Sequence, residues 1–292
     1  MFEKFKADMM FKRLLRRPDI DKAYAMVKPS DPWYATIKKV HDSVAEIRKM
    51  PRQTVQILSH DGLRLEGVFY PNGGDITVVC IHGYTSHAER EWAFPGLFYL
   101  SLGYNVLIPY QRAHGPSEGK YITLGALEQE DMQGWVRKVQ ELVPGSRVII
   151  HGLSMGGGIA LDLASKELEN VRAIISDAPS VSVKEMFEQI AKGVFKKDGE
   201  KVAAILTARF EKEFGVDVGR LDRVQTLSNS RYPILLSAGS NEGMEEIFAV
   251  LKSRNPQPTE VIILPGCDHG NGMYKQTQMY QQTIEAFIGR VI

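Results

Sequence analysis

The sequence predicts an α/β protein built on a mostly parallel, doubly wound sheet, and three observations predict it. Six short runs dominated by apolar and β-branched residues recur at 76–81, 105–110, 147–151, 171–176, 233–238 and 260–265. Stretches with helical periodicity lie between them, at 89–102, 125–143, 156–168, 244–254 and 274–290. At one strand-to-helix junction, "VIIHGLSMGGGIAL" at 148–161, a serine is set among glycines. Apolar runs that do not alternate belong to strands covered on both faces. Strand alternating with helix implies right-handed crossovers and a parallel sheet.

The elements follow in order. The opening "MFEKFKADMMFKRLLRRPDI" is amphipathic and basic but lacks the unbroken apolar stretch of a signal peptide. It reads as part of an N-terminal helical extension, residues 1–52, that packs on the main domain. The alternative is a helix touching a membrane surface through Phe2, Phe5, Met9 and Leu14. The main domain, 53–292, starts with "TVQILS" and "LRLEGVFY" around the turn "HDG", an antiparallel hairpin. The six apolar runs then alternate with helices until about 179–230, where some fifty residues separate two strands. Within that interval "SVKEMFEQIAKGVF" and "EKVAAILTARFEKEFG" read as amphipathic helices, which we take as a cap inserted over the carboxyl ends of the strands. Met186, Phe187, Phe195 and Phe210 of the cap offer an acyl pocket, although packing at helical spacing is the default reading.

Composition removes several classes of function. The 292 residues carry a net charge of +1, so no nucleic acid or acidic membrane is implied as a partner. No segment approaches the roughly 18 apolar residues of a membrane span, and a cytoplasmic protein is expected. Cys80 and Cys267 have neither redox nor metal-ligand spacing and read as unpaired thiols.

The serine corner points to nucleophilic catalysis. In an open α/β sheet, ligands bind outside the carboxyl ends of the strands. Ser154, between Gly152 and Gly156, falls at such an end and directly before a helix whose free amides face the same spot. The G-x-S-x-G pattern alone is weak, since a chain of this length shows one by chance about one time in ten, and its strand-to-helix setting is what makes it informative. A serine needs a base, an acid to orient the base, and oxyanion donors. His269, in "LPGCDHGNGMY" after the last strand, stands where the chain order serine, acid, histidine puts the base. The amides of Tyr84, in "IHGYTSHAEREW", and of Met155 are the expected oxyanion hole. His60, His114 and His151 read as loop supports, and His87 as a substrate contact at most.

Together these segments resemble the α/β-hydrolase superfamily from about residue 53 to the C-terminus. The closest likeness is to bacterial esterase-like members, carried by "HGYTS", "RAHGPSEGKYITLG", the "GLSMGG" elbow and a late "DHG". The resemblance implies an α/β-hydrolase fold with an eight-stranded sheet and a variable cap. It further implies hydrolysis of a small-molecule ester through an acyl-enzyme, with no metal and no cofactor. Two segments depart from the family's pattern. Where its members read D-x-R-G-H-G, this chain has "YQRAHGPS", with Gln111 at the acidic position and Arg112 left to brace the loop. Where they place an Asp after the seventh strand, "SAGSNEGMEE" offers only Glu242. Glu242 is therefore the expected triad acid, Asp177 at the end of the preceding strand is its competitor, and Asp268 is set aside as the neighbour of His269. The function expected is cleavage of carboxylic esters with short to medium acyl or small aromatic groups. Acyl transfer, thioester or peptide hydrolysis on the same machinery, or a non-catalytic binding role, are the alternatives.

Overall fold

The computed structural model describes residues 2–292. Strands β1 (Gln53–Leu58) and β2 (Arg64–Tyr70) form the antiparallel hairpin, and β2 runs antiparallel to β4 (Asn105–Pro109) as well. From there the sheet is parallel through β3 (Ile76–Ile81), β5 (Arg147–Leu153), β6 (Val171–Asp177), β7 (Ile234–Gly239) and β8 (Thr259–Leu264). The order across the eight strands is β1-β2-β4-β3-β5-β6-β7-β8. Chain progression reverses at β3, which has β4 on one side and β5 on the other. This opens a crevice beyond the carboxyl ends of β3 and β5, and the serine corner and the "HGYTS" loop leave the sheet at those two ends.

Strand residues divide by the period-2 rule between two cores. Val79, Ile81, Ile150, Ile174 and Leu236 face one side, and Val78, Cys80, Ile149, Ile175 and Leu235 the other. The first side is covered by α4 (Glu128–Leu142), α5 (Met155–Leu163) and the cap. The second is covered by α2 (Tyr34–Ile47), α3 (Ala88–Ser101) and α11 (Thr277–Val291). Helix α9 (Glu245–Arg254) joins β7 to β8, and α10 (Gly272–Lys275) precedes α11. The helix expected over 156–168 stops five residues early. The Ala164 carbonyl is taken by the Arg231 amide at 2.8 Å and the Lys166 carbonyl by the Tyr232 hydroxyl at 2.9 Å, which pulls the chain out of helical register. The last helix, expected as one stretch over 274–290, breaks at Gln276 (φ −111°, ψ 43°), whose side chain donates to the Pro265 carbonyl.

Helices α6 (Val183–Phe195) and α7 (Gly199–Phe214), followed by the short α8 (Arg223–Thr226), occupy the interval between β6 and β7. Phe187 and Phe210 are wholly buried and meet edge to face at 5.5 Å, with Phe214 stacked in the same manner on Phe210. Each such burial contributes about 1.5–3 kcal/mol. These rings pack the cap helices together and line no substrate cleft, and Met186 and Phe195 lie half-buried against the same cluster.

The first helix, α1 (Phe2–Leu15), buries Ala7, Met10, Phe11 and Leu15. Its main support is the cap helix α7: Phe11 stacks on Phe214 and lies edge-on to Tyr121, and Arg209 lies 4.0 Å above the Phe11 ring. Of the four residues named above as a membrane-facing set, Phe2, Phe5 and Met9 are exposed and Leu14 is half-buried. No helix among the described residues is long and apolar enough to cross a membrane.

Candidate active site

The serine corner is strained. Ser154 holds φ 59° and ψ −115°, a conformation that costs on the order of 1–3 kcal/mol for a residue with a side chain. It is fixed by the Ser154 amide donating to the Asp177 carbonyl at 2.8 Å, and by its own carbonyl accepting from the Gly158 amide at 3.0 Å. The flanking glycines are required by space: a Cβ on Gly152 would fall 2.0 Å from the Gly156 oxygen, and one on Gly156 would fall 2.0 Å from the Ile81 oxygen. Strand and helix approach until only glycine fits, and the hydroxyl is pushed out into the crevice.

Two loops bring partners to that hydroxyl. After β7 the chain makes a tight turn, Ser240–Glu242, in which the Glu242 carboxylate caps its own start by accepting from the Gly239 amide at 2.8 Å. The loop after β8 lies against this turn, with Asn241 donating from its backbone to the Cys267 carbonyl at 3.0 Å and from its side chain to Asp268 at 2.8 Å. His269 rides on that second loop. Its Nδ1 lies 2.6 Å from Glu242 Oε2 and its Nε2 lies 2.9 Å from Ser154 Oγ. The hydrogen bond to Glu242, joined by that carboxylate's charge, raises the imidazole's pKa above its ordinary 6.5 against the opposing effect of burial. Asp268 turns away, and hydrogen bonds from Asn241, Asn271 and Lys275 hold its pKa down at about 2.

The competing acid sits elsewhere. The Asp177 side chain accepts from His151 Nε2 at 3.1 Å and from the Tyr280 hydroxyl, while the Tyr99 hydroxyl meets His151 Nδ1 at 2.7 Å. This cluster is buried, so the crevice holds Glu242 beside His269 and leaves Asp177 in a separate network.

The oxyanion candidates lie on either side of the serine. Met155 opens α5, so its amide has no acceptor within the helix. On the loop after β3, the Gly83 carbonyl receives His82 Nδ1 at 2.9 Å, and a trans peptide points its N–H opposite its carbonyl, which leaves the Tyr84 amide directed away from His82. His82 is locked in one neutral tautomer, because its Nε2 accepts from the Gln111 amide at 3.1 Å and burial drives its pKa far down. Gln111, at the position where the family pattern has an acid, donates its side-chain amide to the His82 carbonyl at 2.5 Å. Arg112 is buried and bridges Asp131 at 2.6 Å and Asp61 at 3.0 Å. His60, Asp61 and Asp131 present ligand atoms within 4.8 Å of one another, but both carboxylates already share hydrogen bonds with that guanidinium. His114 bonds the Arg112 carbonyl, and His87 caps α3 through the Arg90 amide.

Comparison with known proteins bears on this arrangement. The sequence profile of the hydrolase family described as "Serine aminopeptidase, S33" matches residues 74–240, more than half of the chain. The chain is an α/β hydrolase of that family. The hydrolase is 22% identical over 253 residues to the Bacillus subtilis protein YqkD, covering 85% of this chain and 83% of the relative. Its fold matches the Pyrococcus furiosus esterase Pf2001 with a TM-score of 0.66 at 23% identity, over 95% of this chain and 98% of that one. A thermophilic esterase from Thermogutta terrifontis matches with a TM-score of 0.59 at 20% identity, over 82% and 99%.

In this hydrolase a cleft of about 320 Å³ opens over Ser154 and His269. Its walls come in part from a segment to which sequence analysis assigns no role in the site. No cap residue lines it; Ala23, Tyr24 and Trp33 of the N-terminal extension do, facing Gly83, Glu91 and Leu153. His87 is likewise absent from the lining. Glu91 was not singled out by sequence, yet it is buried, and its carboxylate accepts from the Gly83 amide at 2.7 Å and from the Tyr24 hydroxyl at 3.1 Å. Burial raises its pKa to about 6 against those hydrogen bonds. The one available signal was positional: Glu91 lies a turn before Pro95 and next to Trp92 on the inward face of a helix, where a carboxylate needs partners. A larger cavity of about 1190 Å³, lined among others by Asp162, Arg220 and Arg254, contains none of these groups.

Proposed function

We propose that this hydrolase cleaves carboxylic esters with short to medium acyl or small aromatic groups, through an acyl-enzyme on Ser154. One geometry supports the reading: the continuous chain of contacts from Ser154 Oγ to His269 Nε2, and from His269 Nδ1 to Glu242. His269 takes the hydroxyl proton as Ser154 attacks the ester carbonyl, and Glu242 stabilises the imidazolium that forms. The Tyr84 and Met155 amides receive the oxyanion. Collapse of the tetrahedral intermediate breaks the ester C–O bond, and His269 returns the proton to the departing alcohol. Water then repeats the sequence on the acyl-serine, which releases the acid.

Ester cleavage is favoured over removal of an N-terminal amino acid, the activity in the family's description. An aminopeptidase needs an anion free to hold the substrate's ammonium group. The carboxylates beside Ser154 are both committed, Glu242 to His269 and Glu91 to the Gly83 amide and Tyr24. The similar folds of two esterases point the same way. The test is a series of p-nitrophenyl esters from acetate upward, assayed with a chelator present beside amino-acid p-nitroanilides. Turnover of the shorter esters with none of the anilides is expected. The reverse pattern would replace this reading with the peptidase one.

A further inference from the structure

The N-terminal extension contributes no group to the proposed reaction, yet three of its residues wall the cleft over Ser154. We propose that residues 20–34 form part of the substrate site: Tyr24 and Trp33 receive the apolar group of the ester, and Tyr24, acting through Glu91, positions the loop peptide that faces the serine. This rests on the ester-hydrolase reading above and adds the site's apolar subsite and a positioning residue.

Four observations carry it. The segment is fastened where it crosses the cleft: Arg90 donates to the Asp21 and Ala23 carbonyls, both at 2.7 Å, and His41 Nε2 meets the Tyr24 carbonyl at 2.9 Å. Farther up the chain the Tyr84 hydroxyl donates to the Leu14 carbonyl at 2.7 Å, so the oxyanion loop is tied to the extension at a second point. Tyr24 itself is held at φ 57°, a left-handed conformation that side chains disfavour and that persists where surroundings impose it. Finally, the Tyr24 hydroxyl, the Glu91 carboxylate and the Gly83 amide form one unbroken hydrogen-bonded line. That line ends against the nucleophile, since a Cβ placed on Gly83 would lie 3.4 Å from both Glu91 Oε2 and Ser154 Cβ. Fixing the Gly83 amide from one side, with its carbonyl held by His82, sets the plane of the peptide whose N–H belongs to Tyr84. The subsite suits an apolar group, because the indole of Trp33 and the ring of Tyr24 face a wall that includes Leu153.

The experiment compares the full-length protein with Tyr24→Phe, Glu91→Ala, Glu91→Gln and Trp33→Ala, using p-nitrophenyl acetate and hexanoate and following each variant by thermal melt. Glu91→Ala should lower kcat about 100-fold with a smaller change in KM. Glu91→Gln should recover most of that loss, because its amide oxygen still accepts from Gly83. Tyr24→Phe should fall between them. Trp33→Ala should reduce the preference for hexanoate over acetate, in kcat/KM, about tenfold. Wild-type kcat in folded Tyr24→Phe and Glu91→Ala, or equal loss in both Glu91 variants, would overturn the positioning role. Binding reads the wall apart from the chemistry. Trp92 and Trp135 are fully buried, so quenching of the exposed Trp33 when hexanoate ester is added to Ser154→Ala reports the subsite. Quenching without wild-type turnover would sink the ester-hydrolase reading alone, whereas no Trp33-dependent quenching would sink the subsite.

Discussion

Two histidine–carboxylate pairs lie along the carboxyl edge of this sheet, one at β5 and β6 and one after β7 and β8, and they differ in burial and in what their imidazoles touch. His151 and Asp177, at the ends of β5 and β6, are buried, flanked by Trp92, and closed off by the hydroxyls of Tyr99 and Tyr280. His269 and Glu242 sit on two loops after β7 and β8, with the imidazole side chain 57% exposed and its free nitrogen on Ser154. The first pair has every nitrogen of its imidazole occupied by protein and no route for a proton to a substrate. The second has one nitrogen aimed at a strained hydroxyl beside a cleft. The two pairs therefore differ in access and in the partner of the second nitrogen, and on the function proposed above only the second is placed to react.

The largest effect that would sharpen this contrast is loss of the groups proposed to react. Ser154→Ala and His269→Ala should each lower kcat by roughly 10⁴–10⁶, and the double variant should lose little more, because such groups act as a unit. Losses that multiply in the double variant would show that the two do not work together. Next come the acids. Glu242→Gln should cost up to about 10⁴ in kcat with an unchanged melting temperature. Asp177→Asn should keep kcat within about tenfold while weakening a buried hydrogen-bonded network at a cost of about 2 kcal/mol, seen as a melting point lower by several degrees. A crippled but fully stable Asp177→Asn beside a near-silent Glu242→Gln would exchange the roles of the two pairs.

Smaller, and specific to the exposed pair, is the pH profile. His269 accepts a proton only when neutral, so kcat/KM should rise with pH through its pKa, which the hydrogen bond it donates to Glu242, with that carboxylate's charge, lifts above 6.5. Glu242→Gln removes that carboxylate's charge and should move the acidic limb to lower pH, a shift Asp177→Asn should not produce. An unmoved limb in Glu242→Gln would separate Glu242 from the titrating group. The smallest expected effect on activity belongs to the cap. Phe187→Ala and Phe210→Ala should each cost about 3–5 kcal/mol of stability while the ratio of kcat/KM between short and long esters stays put. A changed ratio would bring the cap back to the substrate.

What was legible in the sequence follows from this physics. The central strands were plain because burial on both faces leaves runs such as "ITVVCI" without polar interruption, and the serine corner was plain because no residue but glycine survives within 2.0 Å of a carbonyl oxygen. Chain order singles out Glu242, and the contact that brings it to His269 depends on two loops pinned by Asn241, which no local pattern encodes. The cleft wall was not legible. Residues 20–33 have no periodicity, and their anchors are backbone carbonyls accepting from Arg90, so side-chain identity carries little of the signal. The cap aromatics pack as their default reading had it, although spacing alone left an acyl pocket open, since rings at helical spacing look alike whether they face a substrate or one another.

The central claim is that the strained hydroxyl beside the exposed histidine is the nucleophile, and covalent labelling tests it most directly. Purified protein treated with an alkyl p-nitrophenyl phosphonate, digested and mapped by mass spectrometry should carry a single adduct on Ser154, formed far more slowly in His269→Ala. An adduct on another residue, or none while ester turnover continues, would contradict it.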